Sequence, residues 1–461
     1  MDYDNWIRPS CQLAHPLNWE LLCRDIVMLR TFIVCLLCLL AATPAIADEA
    51  EFRVGFAKRD ITPQAATPMW GYGARHAMLS QGTADPLMAK AVVIEVGDER
   101  LAIVGMDIGR GPTTAMMEQI RKAVAEKAGI GHVIIAGSHT HHGPVIELTN
   151  REGFGKGKFD DAVAYSKRLP ELLIEAIVEA KENAEPAYIG VAKKNVDLNR
   201  NRHTKRTPKP TDPMLAVIRF DDAAGKPFAI IANFAAHPVT MDAMILKFSA
   251  DYPGALQNRV EAALNTNCLF MQGASGDMSP NRGSLDGTQY GEALGDVVVA
   301  LAQSIETKTP ERPSIQAKVD RFKFTSRIDF NNALLMLLFE RSFFPELVHN
   351  YSQEFGGGIE PELITVLVNR NLALVGGSGE FFCNHANRLK ERSYVDDTLF
   401  FGYCNGHHLY FPTIEAASEG GYGGDAPVAP VEIGAGEQMM NQALINIYTM
   451  LGKFPPETIE Q

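Results

Sequence analysis

Two short segments hold the residues best suited to chemistry. In Ser138-His139-Thr140-His141-His142-Gly143-Pro144, imidazoles stand where the apolar run His132-Val133-Ile134-Ile135-Ala136 breaks off. In Gly276-Asp277-Met278-Ser279-Pro280-Asn281 a polar turn carries a single hydroxyl. If the extended run continues through His141, strand alternation puts His139 and His141 on one face and His142 on the other. Two imidazoles on one face can share a metal, and a catalytic zinc takes three protein groups while leaving a position for water. A lone histidine reads as part of a solvated loop, but His-x-His at a strand end followed by Gly-Pro points to metal-assisted hydrolysis.

The elements that must position these groups recur along the chain. Apolar runs of strand length end in Gly or a small residue and then a polar group. Runs at 101–105, 133–136 and 229–232 lead to Asp107, His139 and His237; those at 269–271, 372–375 and 399–403 lead to Asp277 and Ser279, to Glu380, and to the Asn405 to Tyr410 segment. Between them lie stretches of helical period at 114–127, 166–183, 253–264, 291–305 and 436–451. This pattern predicts an α/β fold of mixed β-sheets with flanking helices and an active site at the C-terminal ends of strands. The greasy segment 327–355 reads as a buried core helix in preference to a lid or membrane-facing helix.

Length and composition bound the rest. A chain of 461 residues, 46% hydrophobic and 21% charged, is ordinary globular material. The formal net charge of -12, with no Lys/Arg cluster, excludes nucleic acid as an electrostatic partner. From Met28 the chain has a short basic start, an apolar run at 31–42 and Ala45-Ile46-Ala47 before Asp48, the form of a secretory signal. The expected organisation is therefore a mis-assigned extension at 1–27, a signal peptide at 28–47 and one catalytic domain at 50–455, exported to a periplasm or beyond. Beyond the signal only Cys268, Cys383 and Cys404 remain, which is no disulfide scaffold.

Taken in order, the motifs resemble the catalytic domain of the neutral (alkaline, non-lysosomal) ceramidases, zinc amidases that cleave the N-acyl bond of ceramide. His139-Thr140-His141-His142-Gly143-Pro144 is similar to the family's His-Thr-His-Ser-Gly-Pro, with His142 in place of serine. Asn199-Arg200 resembles an Asn-Arg segment, Ala236-His237-Pro238 a His-Pro segment, and Gly276 to Asn281 matches the family hexapeptide in full. Gly379-Glu380 resembles a Gly-Glu pair, Asn405 and Tyr410 an Asn-x-x-x-x-Tyr segment, and Tyr422 a further site tyrosine.

The resemblance implies Zn²⁺ held by His139, His237, Glu380 and Tyr410. It implies His141 as proton carrier, Arg200 and Tyr422 beside the substrate, and Ser279 as either nucleophile or binding residue. Asp277, Asn281 and Asn405 are expected behind the ligands. The implied partner is a small-molecule or lipid amide, with membrane contact through that substrate and the oligomeric state left open. Departures bear on substrate: His407-His408 replace the family's Tyr-Ser, and the chain stops at Gln461, with no room for the family's C-terminal immunoglobulin-like domain. A zinc esterase or deacetylase, or an inactive metal-binding homologue, are the alternatives.

Overall fold

The structure, a computed structural model, describes residues 51–454; the expected extension and signal peptide lie outside the described residues. In chain order the elements are β1 (Phe52–Asp60), β2 (Met88–Val96), β3 (Glu99–Met106), α1 (Thr114–Ala128), β4 (His132–Gly137), α2 (Asp160–Glu182), β5 (Glu185–Pro186), β6 (Tyr188–Asn195) and β7 (Asn199–Asn201). There follow β8 (Met214–Asp221), β9 (Pro227–Phe234), α3 (Asp251–Leu264), β10 (Asn267–Gln272), β11 (Met278–Pro280), α4 (Gly287–Ser304), β12 (Ile315–Arg321), α5 (Ala333–Ser342) and α6 (Pro345–Phe355). The last are β13 (Glu362–Val368), β14 (Leu372–Gly377), β15 (Glu380–Phe381), α7 (Cys383–Arg392), β16 (Asp397–Phe401), β17 (Tyr410–Phe411), α8 (Ile414–Glu419) and α9 (Ala435–Met450).

Three mixed sheets carry the fold, in the orders β4-β3-β2-β1-β5, β10-β9-β8-β6 and β12-β13-β14-β16. Each is mostly antiparallel but contains one parallel pair, β3 with β4, β9 with β10 and β14 with β16. Val92 and Ile103 of the first sheet, Ile218 and Ile231 of the second, and Val366 and Leu374 of the third belong to one buried cluster. The strands read as near-continuous apolar runs because their other faces are covered too: α1 and α2 pack on the first sheet, α3 and α4 on the second, α7 and α9 on the third. The expected α/β class with flanking helices is the observed one.

Local chemistry sets the helix ends. The Thr113 side chain accepts from Met116 N and caps α1, which stops at Gly129 with φ 64°, a left-handed conformation that glycine adopts without strain. At α4 a capping box pairs Asp286 with Gln289. The helix expected at 166–183 reaches back to Asp160, since Asp160 and Asp161 in the first turn suit the positive end of the helix dipole.

Two expectations are corrected. The extended run does not continue through His141: β4 ends at Gly137, and His139 turns with φ 68°. The segment 327–355 is not a buried core helix. It forms α5 and α6, and on α5 only Met336 is buried while Leu334, Leu337 and Leu338 are 69%, 46% and 52% exposed.

Candidate metal centre and active site

The site forms where the parallel pairs end. His139 follows β4, His237 follows β9, Glu380 opens β15 just past β14, and the turn after β16 carries Tyr403 and His407. The short β15 and β17 pair in parallel with Glu380 opposite Tyr410, which brings the tyrosine to the same centre. Backbone must approach closely here. A Cβ on Gly71, whose φ is 107°, would stand 2.5 Å from His141 Cγ, and one on Gly276 would stand 2.5 Å from the Glu380 carbonyl oxygen.

Both buried histidines are oriented alike. His139 Nδ1 donates to the Gly109 carbonyl at 2.6 Å, and His237 Nδ1 donates to the Ser275 carbonyl at 2.7 Å. A carbonyl only accepts, so each Nδ1 holds the proton and each Nε2 presents a lone pair. Those two nitrogens stand 3.0 Å apart. Glu380 Oε2 lies 3.3 Å from the first and 3.2 Å from the second, and His141 Nε2 lies 3.4 Å from His139 Nε2. Ligand atoms around a tetrahedral zinc at about 2.0 Å are spaced about 3.3 Å apart. Facing lone pairs beside a buried carboxylate oxygen with no hydrogen-bond donor of its own form a donor set that a divalent cation satisfies, so the residues fit a metal.

The electrostatics agree. Burial, with Arg202 and His139 adding to it, lowers His237 to about 3, and burial together with the neighbouring His139 and His237 holds His141 well below the ordinary imidazole value. These rings are neutral near pH 7, the form in which an imidazole can bind a metal. Burial alone would raise Glu380, but the surrounding His139, His237 and His407 hold it well below the usual carboxylate range.

The predicted site residues divide. His139, His141, His237 and Glu380 come together, and Tyr410 and Tyr422 join them along the wall of a cavity of about 190 Å³ above the cluster. The arginine assignment is corrected by two residues. Arg200 is exposed on β7, whereas Arg202 lies 2.9 Å from His237 Nε2 through Nη2, which also donates to Gly276 O at 3.0 Å and to the Tyr410 hydroxyl at 3.2 Å. The chain reads Asn199-Arg200-Asn201-Arg202, so the second Asn-Arg pair was the signal.

Asp277 stands behind the site. It accepts from Asn201 Nδ2 at 2.6 Å and from Cys383 N at 2.7 Å, and its carbonyl takes Arg202 N at 2.8 Å. Asn405 sits farther back and clamps β4, accepting from Ile135 N at 2.8 Å and donating to Val133 O at 2.9 Å. Asn281 instead turns to Asp197 at 3.3 Å. Ser279, on β11 opposite Arg200 of β7, does not line the cavity. Strand alternation explains both displacements: Asn201 and Met278 face inward, so their neighbours Arg200 and Ser279 face the other way.

Three aromatic or imidazole groups of the site were not foreseen. Tyr403 stacks on His139 with ring centroids 3.9 Å apart, and Trp70 stands edge-on to His139, His141 and His407 at 5.2, 5.6 and 5.4 Å. Trp70 is fixed by its indole N–H, which donates to Glu147 Oε1 at 3.2 Å; the same oxygen takes Arg110 Nη1 at 3.1 Å and the Tyr351 hydroxyl at 3.3 Å. His407 Nε2 lies 3.2 Å from Glu380 Oε1. Above them Met69, Phe339, Phe343, Phe344 and Leu347 give the cavity an apolar wall.

An α/β scaffold that converges two or three imidazoles and a carboxylate beneath an apolar cavity defines a candidate metal-dependent site. The chain belongs to the neutral/alkaline non-lysosomal ceramidase family, whose N-terminal domain model matches residues 52–292. It is 28% identical to the neutral ceramidase of Pseudomonas aeruginosa over 267 residues, 52% of this chain and 38% of that one. It is 25% identical to neutral ceramidase A of Dictyostelium discoideum over 51% of this chain and 37% of that one. These matches span little more than a third of either relative's length. Among solved structures, one described as ceramidase complexed with C2 superposes with a TM-score of 0.71 at 19% identity, over 89% of this chain and 76% of that one. The crystal structure of the Pseudomonas aeruginosa neutral ceramidase gives 0.69 at 18% identity over the same shares. These two establish the likeness of fold.

Proposed function

We propose that this protein is an exported zinc-dependent amidohydrolase that cleaves the N-acyl bond of a lipid-like amide. The observation that carries the reading is the pair of Nε2 lone pairs of His139 and His237, 3.0 Å apart, with Glu380 Oε2 beside them under an apolar cavity. His139, His237 and Glu380 would hold the ion, with His141 within ligand reach. Bound there, zinc would supply a Lewis acid for the amide carbonyl and lower the pKa of a water from about 15.7 to about 7.

The chain's own residues do the remaining work. Arg202 and the Tyr410 hydroxyl offer donors to oxygen charge that develops as the carbonyl is attacked. His141, neutral near pH 7, takes a proton and passes it to the leaving amine. Trp70, Phe339 and Phe343 exclude water and receive the apolar chain, with Tyr422 at the exposed end. Ser279, off the cavity, serves as a turn residue in this scheme. Among the described residues no helix is long and apolar enough to cross a membrane, so lipid contact is made through the substrate and the apolar face of α5. The domain from 50 to 455 acts as one catalytic unit.

Elemental analysis and a panel of N-acyl amides and matched esters test the proposal. About one zinc per chain, lost in His237→Ala, with amides cleaved in preference to esters, is the expected outcome. Absence of zinc after reconstitution overturns the metal, and preference for esters overturns the amide.

A further inference from the structure

His407 stands where the chain departs from the family motif, and the role argued for it rests on the proposed zinc site. His407 is fully buried, and its Nε2 lies 3.2 Å from Glu380 Oε1. The other oxygen of that carboxylate, Oε2, faces His139 and His237 at 3.3 and 3.2 Å. The two oxygens are thus divided between two sides: Oε2 toward the ligand nitrogens, Oε1 toward His407.

The proton on His407 can be assigned from its surroundings. A carboxylate oxygen only accepts, so the hydrogen bond needs the proton on Nε2. His407 Nδ1 is buried and has no hydrogen-bond partner, so a proton there would be stranded at a cost of about 1–3 kcal/mol. The ring itself is held firmly. Trp70 stands edge-on at 5.4 Å, Tyr403 lies nearly parallel at 6.2 Å, and the following residue, His408, is tied through its backbone N–H to Ser378 O at 2.9 Å.

We infer that His407 is a positioning residue for Glu380: it donates Nε2–H to Oε1, so that Glu380 can offer only Oε2 to the ion. A free carboxylate can swing between one-oxygen and two-oxygen ligation. With Oε1 engaged, one-oxygen ligation would be favoured and would leave a coordination position for water. The donor is on β16's following turn and the acceptor on β15, so the hydrogen bond also pins two segments of the site to each other.

The test compares wild type, His407→Phe and His407→Gln, each checked for folding by circular dichroism. Zinc affinity is read by competition with a chromophoric chelator, and coordination is read from the visible absorption of the Co²⁺-substituted protein. His407→Phe is expected to weaken zinc about 10–100-fold and to shift the Co²⁺ spectrum, while His407→Gln, whose amide N–H can reach the same oxygen, recovers most of both. A folded His407→Phe with unchanged zinc affinity and unchanged Co²⁺ spectrum overturns the inference and leaves the zinc site standing. Loss of zinc by more than about a thousandfold in both variants also overturns it, because His407 is then a ligand. If wild type itself binds no zinc, the proposed function fails first.

Discussion

Arg202 Nη2 lies 2.9 Å from His237 Nε2 just past the end of β7, while Arg200, two residues earlier on that strand, faces solvent. The two arginines therefore make a matched pair for mutagenesis. Arg202→Ala should lower kcat/KM for an amide substrate by about 10²–10³-fold, the scale of losing one oxyanion donor. Arg200→Ala should change it less than twofold. Equal effects in a steady-state assay would remove Arg202 from the site.

Glu380 contributes the carboxylate of the cluster, and its exchange for an amide keeps the shape while removing the charge. Glu380→Gln should lose most bound zinc and hydrolytic activity together, with near-wild-type far-ultraviolet circular dichroism. Full zinc occupancy in that variant would show that the ion sits elsewhere.

The Arg110–Glu147 pair is buried on both sides at 3.1 Å. Glu147→Ala strands a guanidinium and frees the Trp70 indole, so a loss of about 3–5 kcal/mol is expected, read as a lower urea midpoint. A change below about 1 kcal/mol would mean that water reaches Arg110 and satisfies it.

Burial raises Asp107 to about 6, against the opposing pull of Lys90. A folded-state pKa above the unfolded value means that the folded state holds the proton longer. The associated stability is full below about pH 4 and is lost as pH rises through about 6. Wild type should therefore lose roughly 1–1.5 kcal/mol relative to Asp107→Asn between pH 5 and pH 8. Parallel denaturation curves at the two pH values check the sign; a gain in wild-type stability relative to Asp107→Asn from pH 5 to pH 8 refutes it.

Leu337 and Leu338 lie on the exposed face of α5, whose Phe339 lines the cavity and whose C-cap, Phe343, does so as well. A Leu337→Ser/Leu338→Ser variant should cleave a water-soluble short-chain amide at the wild-type rate. On the same headgroup presented in phosphatidylcholine vesicles it should be about tenfold slower, since two leucines no longer enter the apolar phase. Equal rates on both substrates would remove α5 from lipid contact.

Much of this arrangement was legible in the chain. Runs such as Ile134-Ile135-Ala136 and Ile230-Ile231-Ala232 mark buried strands whatever their partners, and the polar residues just beyond them, His139 and His237, fall at the site because parallel neighbours end at the same edge. The end of a three-residue strand was not legible: Arg200 and Arg202 would share a face if β7 continued, but β7 stops at Asn201 and the bend beyond it turns Arg202 to the site. Trp70 and His407 escaped for another reason. Trp70 sits in no motif and meets His407 across 337 positions, while His407 stands where the Asn405–Tyr410 segment departs from the family pattern and reaches Glu380 across 27. The apolar stretch of α5 misled because hydrophobic content alone does not distinguish a core helix from one that covers a cavity mouth.

The centre is assembled from residues far apart along the chain, with His139 and His237 separated by 98 positions and Glu380 well beyond both. An ion there would act as a cross-link closing long loops, which restricts the unfolded chain more than the folded one. The family-matched stretch 52–292 contains His139, His141, Arg202 and His237 but ends before Glu380, His407 and Tyr410. A fragment cut at that boundary would carry two of the three proposed ligands and only the Met69 to Tyr72 side of the cavity wall. During synthesis, the ion would have its complete seat only after the last strand pair, Glu380 with Tyr410, has left the ribosome and closed.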